Sequence, residues 1–197
     1  RGGSHGGVAC PPWTGGAPAP GGAGRPPRGG SGLGAAPGVT PWVQEARALA
    51  VSDLHLGKAE RIARMEGRLT PPYETRETLA RLAALVADYR PRTVILLGDS
   101  FDDDAAAEAL AAEAAEEIAR MMAGRRWIWI AGNHDPAPTA LGGTHLAEHR
   151  EGPLVFRHIA EPGAEGEISG HYHPKAVLRG RRPCFLADAQ RIIMPAF

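Results

Sequence analysis

WIWIAGNHDP, residues 127–136, holds two kinds of material. Trp127 to Ala131 is an unbroken apolar run of aromatic and β-branched residues. Such a run suits a short strand buried on both faces. Gly132, Asn133, His134 and Asp135 follow at once, and none of them is a good strand former. An amide, an imidazole and a carboxylate therefore stand where a buried strand leaves its sheet. In open α/β sheets, sites are built beyond the carboxyl ends of the strands.

The flanking sequence repeats the arrangement. "RTVILLGDS" (92–100) is an apolar strand running into Gly98-Asp99, and "ARALAVSD" (46–53) is a shorter one running into Asp53. Between the strands lie helical stretches. In 74–89, Leu79, Leu82, Val86 and Tyr89 recur at three- and four-residue spacing, with Pro91 as a stop. The stretch 103–124 is Ala-rich, with acids early, Arg120 late and Gly124 at the end, and is expected as one helix. The order β-α-β-α-β predicts a parallel sheet. After residue 150 the pattern changes to short strands split by turns: "PLVFRH", "GEISGH", "KAVLRG", "PCFLA" and "RIIMPAF". They predict a second, antiparallel-rich sheet packed on the first.

The 197 residues allow one domain with a substantial core, plus an appendage. Lys plus Arg is 22 and Asp plus Glu is 22, so no global charge calls for a polyanion or an anionic membrane. Any polyanion must be met locally. Cys10 and Cys184 form no paired motif, which excludes a disulfide scaffold and fits a reducing cytoplasmic setting. No apolar run is long enough to span a membrane. Residues 1–40 are mostly Gly, Pro and Ala and are expected to be disordered or non-native, leaving a domain at 41–197. "GSGLGA" within that segment fits a dinucleotide fingerprint only loosely, with no strand before it and no helix after it.

Collected by strand, the polar ends are Asp53-Leu54-His55, Gly98-Asp99, Gly132-Asn133-His134-Asp135, His158 in "FRH", and Gly170-His171-Tyr172-His173. Two metal ions held close together need bridging and terminal ligands. Asp99 is a candidate bridging carboxylate, and Asn133 offers a neutral amide oxygen. Asp53 and His55, like His171 and His173, alternate at period two, so an extended backbone would point each pair one way. Mixed carboxylate, amide and imidazole ligands suit Mn, Fe or Zn.

The blocks D-x-H, GD, GNH, a lone H and GHxH occur in order, and this set resembles the calcineurin-like metallophosphoesterase superfamily. The resemblance implies a β-sandwich flanked by helices (α/β/β/α) with two divalent metals, Mn²⁺ foremost, at the sheet edge. It implies that Asp53, His55, Asp99 and His173 hold one ion, and that Asp99, Asn133, His158 and His171 hold the other. His134 would face the phosphate, stabilising developing charge or protonating the leaving oxygen, with Asp102 of "GDSFD" orienting it. "SDLHLGK", "RLTPPYETRETLARL", "LLGDSF", "WIWIAGNHDP", "GEISGHYHPKA" and "MPAF" further resemble the ligase-associated DNA damage response endonuclease (PdeM) family, over residues 46–197. That likeness implies a phosphodiester substrate, DNA repair, and links to an ATP-dependent DNA ligase and a helicase. This sequence departs from the family in three places. Asp stands at 102 where His is usual, the Gly/Pro segment replaces an N-terminal hairpin, and the family continues past "MPAF".

Any one of these dipeptides alone is more often a turn, a cap or a satisfied histidine. Only their ordered recurrence at strand ends argues for a site. Lys58, Arg61, Arg64 and Arg68 recur as on one helix face and either hold a nucleic-acid backbone or form a solvated face balanced by Glu60 and Glu66. Arg179, Arg181 and Arg182 form a second small patch with the same two readings. Two other functions stay open on the sequence: a phosphatase or phosphodiesterase of nucleotides or other small molecules, and a non-catalytic scaffold.

Overall fold

Trp127–Ile130 forms most of a strand one in from the edge of a six-stranded sheet in the computed structural model, which describes residues 33–36, 40–43, 46–67, 73–137, 139–177 and 179–197. Most of the Gly/Pro-rich segment, and Arg68 of the basic stretch, lie outside the described residues. Strands β1 (Leu33–Ala36) and β2 (Thr40–Val43) pair antiparallel, and β2 pairs antiparallel with β3 (Ala48–Val51). An N-terminal hairpin is therefore present, and extended structure enters the segment expected to lack it. Main-chain pairing needs no apolar side chain, so composition alone does not exclude it.

From β3 onward the sheet is parallel: β3, β4 (Thr93–Leu97), β5 (Arg126–Ile130) and β6 (Thr144–Leu146) lie side by side in chain order. Strand pleating sends alternate residues to opposite faces. Leu49, Val51, Val94, Leu96, Trp127 and Trp129 enter one core cluster. Ala48, Ala50, Ile95, Leu97, Ile128 and Ile130 enter another. Both faces are buried, which is why these strands are apolar throughout.

Helices cover the first face. They are α1 (Lys58–Glu66), α2 (Tyr73–Tyr89), α3 (Asp104–Glu108) and α4 (Ala112–Met122). Leu79, Leu82 and Val86 of α2 and Ile118 and Met121 of α4 join the Trp127–Trp129 cluster. Fully burying each large apolar side chain contributes about 1.5–3 kcal/mol. The stretch 103–124 is two helices rather than one. Asp103 caps α3 by accepting from the Ala106 amide at 2.6 Å. The chain then turns through residues 109–111, where Leu110 packs on the core. Alanine propensity is uniform along the stretch and does not mark the break.

The second face packs on a five-stranded sheet of order β12-β13-β9-β8-β7: β7 (Glu148–Glu151), β8 (Leu154–Arg157), β9 (Glu167–Ser169), β12 (Leu186–Ala187) and β13 (Arg191–Ile193). Phe156, Ile168 and Met194 meet the first sheet. This sheet is less antiparallel than expected: β8, β9 and β13 run parallel, and only the edge pairs are antiparallel. Its outward side carries charge. Glu167 is buried with Arg157 and Arg191 each 3.7 Å away, and Arg157 also pairs with Glu148 at 2.7 Å. The sandwich flanked by helices is thus the architecture observed, with the described helices gathered on the first sheet. A separate hairpin, β10 (Lys175–Val177) with β11 (Arg181–Pro183), belongs to neither large sheet.

Candidate active site and metal centre

Beyond the strand ends the chain stays paired but leaves regular geometry. His55 N donates to Asp99 O at 2.9 Å, Leu56 N to Ser100 O at 2.9 Å, and Asp102 N to Leu56 O at 2.9 Å. These bonds hold the loops after β3 and β4 together. Asp53 (φ 54°), His55 (46°), Asp99 (47°), His171 (69°) and His173 (43°) all adopt left-handed backbone. The pairs Asp53/His55 and His171/His173 therefore do not converge by an extended pleat. Left-handed turns aim them instead.

They converge nonetheless. Asp53, His55 and His173 offer ligand atoms all within 4.8 Å of one another, and so do Asp99, His158 and His171. Asp53 Oδ1 lies 3.2 Å from His173 Nε2 and 3.9 Å from His158 Nδ1. Asp99 Oδ2 lies 3.3 Å from His158 Nε2. Asn133 Oδ1 is 2.9 Å from the same His158 nitrogen, so Asn133 joins the second group. Burial opposes the Asp99 charge. Hydrogen bonds from His158 and the His134 amide outweigh it and hold the carboxyl down at about 2. Burial pushes the His55 imidazole below its ordinary range against the pull of Asp99, Asp102 and Asp53.

Asp135, given no role from the sequence, locks the loops after β4 and β5. It is buried, and its two oxygens accept from the amides of Asp99 (2.9 Å) and Phe101 (3.0 Å). In return, Asp99 Oδ1 accepts from the His134 amide at 2.9 Å. Burial pushes the Asp135 carboxyl up to about 6 against these hydrogen bonds. The only sequence sign of this lock is the carboxylate immediately after Asn-His. Gly132 sits inside it, where a Cβ would collide with Asp99 and Asp135. Gly170 has the same constraint against Ser52 and Asp53.

Asp102 is placed differently from the expectation. His134 Nδ1 lies 3.2 Å from the main-chain oxygen of Asp102, not from its carboxylate. The carboxylate instead faces His55 Nδ1 (3.1 Å) and accepts from Arg61 Nε (2.5 Å). Helix α1 crosses directly over this loop, so Arg61 reaches Asp102 and Arg64 makes two hydrogen bonds to Asp103, at 2.6 and 2.8 Å. These two arginines are engaged within the protein, against the substrate-holding reading of the α1 face; Lys58 is exposed.

The family model for calcineurin-like phosphoesterases matches residues 46–182. The chain belongs to the calcineurin-like phosphoesterase family. It is a metal-dependent phosphoester hydrolase, so the scaffold alternative falls away. Among solved structures, the chain is similar to the Pseudomonas putida nuclease MPE, at 32% identity and a TM-score of 0.65, over 80% of this chain and 78% of that one. No curated protein sequence matches it. No helix among the described residues is long and apolar enough to cross a membrane.

The residues present fit the divalent ions this phosphoesterase family uses. With His55 Nδ1 facing the Asp102 carboxylate, His55 Nε2 is left buried without a protein partner. With His158 Nδ1 donating to Leu97 O at 2.7 Å, His158 Nε2 is left facing His171 Nδ1 at 3.2 Å and two oxygens. Ring nitrogens and carboxylate oxygens turned toward one another are a donor set for hard or borderline cations. An open groove of about 490 Å³ runs from Gly132 and Asn133 past His158.

Proposed function

We propose that this phosphoesterase cleaves the phosphodiester backbone of DNA, works with Mn²⁺, and serves DNA repair in the cytoplasm. One observation carries the reading: two ligand groups share one sheet edge, with the exposed His134 beside them. The likeness to a bacterial nuclease supports the substrate class. The links to a DNA ligase and a helicase rest on the sequence motifs alone.

In this reading Asp53, His55, Asp99 and His173 hold one ion, and Asp99, Asn133, His158 and His171 hold the other. The ions supply Lewis acidity and neutralise charge on the phosphoryl oxygens. A carbonyl can only accept, so the His134 nitrogen facing Asp102 O carries the proton. Its Nε2 is then the nitrogen left for the departing oxygen, to which it gives up a proton when the ring is doubly protonated. Asp102 fixes the ring of His55, and Arg61 fixes Asp102. Asp102→Ala is therefore expected to lower Mn²⁺ affinity by about 10–100-fold, with partial recovery in Asp102→Asn, which keeps an acceptor oxygen. Calorimetric titration reads this directly, and an unchanged affinity would remove the positioning role.

The overall reading is tested with the Mn²⁺-loaded chain on a chromogenic phosphodiester, the matching monoester and plasmid DNA in parallel. Diester and plasmid are expected to be cut faster than monoester. Chelation should stop turnover and lower Tm by about 5–10 °C, the effect of removing a ligand held at roughly 100 times its Kd. The groove beside Asn133 favours one second reading, a phosphodiesterase of nucleotides, since its volume suits a small ligand. Diester turnover with intact plasmid would select it.

A further inference from the structure

The described arginines of α1 are paired internally, but the cations of the β10–β11 hairpin are not. From His171 to Ala187 the chain has Lys175, Arg179, Arg181 and Arg182 and no carboxylate at all. All four are exposed, and none pairs with an acidic group among the described residues. Elsewhere Arg126, Arg150, Arg157 and Arg191 each face a glutamate. In a chain with zero formal net charge, this is a local excess rather than a general tendency.

The hairpin is rooted in the site. Lys175 follows His173 by two residues, and Cys184 N closes the base by donating to Pro174 O at 3.0 Å. Two residues span at most about 7 Å, and the six from His173 to Arg179 at most about 20 Å. At roughly 3.4 Å of rise per nucleotide, that reach covers about six phosphates beside the one being cut. Opposite residues on an antiparallel pair share a face. Arg181 opposite Val177, in alternation with Lys175, puts two cations on one face. Arg182, opposite Ala176, stands on the other face, and Arg179 is in the turn. A two-stranded ribbon alone is only marginally stable, and this one buries little: Val177 is 75% exposed. Its pattern serves contact with a polyanion better than it serves folding. Tyr172, 51% exposed at the root, adds a ring that a neighbouring base can stack on.

We infer that the β10–β11 hairpin is the nucleic-acid grip of this enzyme: Lys175, Arg179, Arg181 and Arg182 hold the sugar-phosphate backbone of DNA flanking the scissile phosphate. This rests on the phosphodiesterase reading of the metal centre and adds to it the surface that makes a long substrate preferred over a short one. It is sequence-independent, because phosphate contacts position a duplex without reading its bases.

The experiment compares the full chain with a variant carrying Arg179→Ala, Arg181→Ala and Arg182→Ala. Binding of fluorescent single-stranded and duplex oligodeoxynucleotides is measured across a salt series, and turnover of a chromogenic phosphodiester is measured beside it. The slope of log affinity against log salt is expected to shrink by about 2–3, with affinity near 0.1 M salt falling about 10–100-fold. Turnover of the small diester should be unchanged, which also shows that the variant is folded. The variant with Lys at the three positions should keep the parent slope, and Arg179→Glu alone should weaken binding of DNA but not of the diester. Equal slopes and affinities in parent and alanine variant would overturn the grip. Diester turnover by a parent that binds no DNA would overturn it too, while leaving the phosphodiesterase reading in place. Absence of diester turnover in the parent would instead overturn that underlying reading.

Discussion

Alanine at position 134 is expected to slow phosphodiester cleavage by about 10²–10⁴-fold, the usual contribution of a general acid, while metal content stays at the parent level. The His134 ring touches the rest of the site lightly. Its Nδ1 meets Asp102 O, and its edge meets the His55 ring at a centroid distance of 5.5 Å. The contact that holds the loop is made by the His134 amide to Asp99 Oδ1, and alanine keeps that amide. Ligand geometry should therefore survive while the proton donor is lost. The size of the effect should follow the leaving group. An aryl oxide departs with little help, so a nitrophenyl diester should sit near the lower end of the range. A sugar alkoxide needs its proton, so plasmid DNA should sit near the upper end. Single-turnover rates on both substrates, with elemental analysis of the protein, provide the check. Equal slowing on both would point to misplacement of the phosphate, and an unchanged rate would remove His134 from the chemistry.

Gly132→Ala should do the reverse, sparing every functional side chain and destroying their arrangement. The space a Cβ would need is already taken by the Asp99 amide, the Asp99 carboxylate and the Asp135 carboxylate. All three are main chain or buried and held by hydrogen bonds, so none can simply swing away. Either the Asp99 N to Asp135 Oδ1 bond must open, or the loop after β5 must lift from the loop after β4. Overpacking of this kind costs about 1–3 kcal/mol. For a protein of this size that lowers Tm by roughly 2–12 °C. The larger consequence is chemical, because Asp99, Asn133 and His158 would no longer meet. Retention of the parent's metal content at the parent Tm would show that the loops have more room than the structure gives them.

Strand periodicity and the polar residues at strand ends were enough to read the sandwich and to name Asp53, His55, Asp99, Asn133, His158, His171 and His173 as candidates for one site. Those signals are local, and the fold merely brings them to one edge. What the sequence hid was long-range or conformational. Nothing in the order of residues says that the Asp102 carboxylate turns to His55, 47 positions away, rather than to His134. Nothing marks Arg61 and Arg64 as partners of Asp102 and Asp103, some 40 residues on, so an internal clasp resembled a free basic face. The split between α3 and α4 falls where Leu110 seats on the core, which an alanine-rich stretch does not record. Pairing of β1 with β2 is carried by backbone groups, to which composition is blind.

Among the described residues, positive φ at a residue other than glycine occurs at seven positions, and five of them are Asp53, His55, Asp99, His171 and His173. A left-handed backbone at such a residue costs about 1–2 kcal/mol, and glycine there escapes most of that cost. Heat resistance and catalysis therefore pull these positions in opposite directions. At Asp53 and Asp99 the exchange would also remove oxygens that accept from the His171 and His134 amides, so a laboratory lineage selected only for surviving higher temperature would turn first to the three histidines, and would discard candidate metal ligands on the way to a tougher protein.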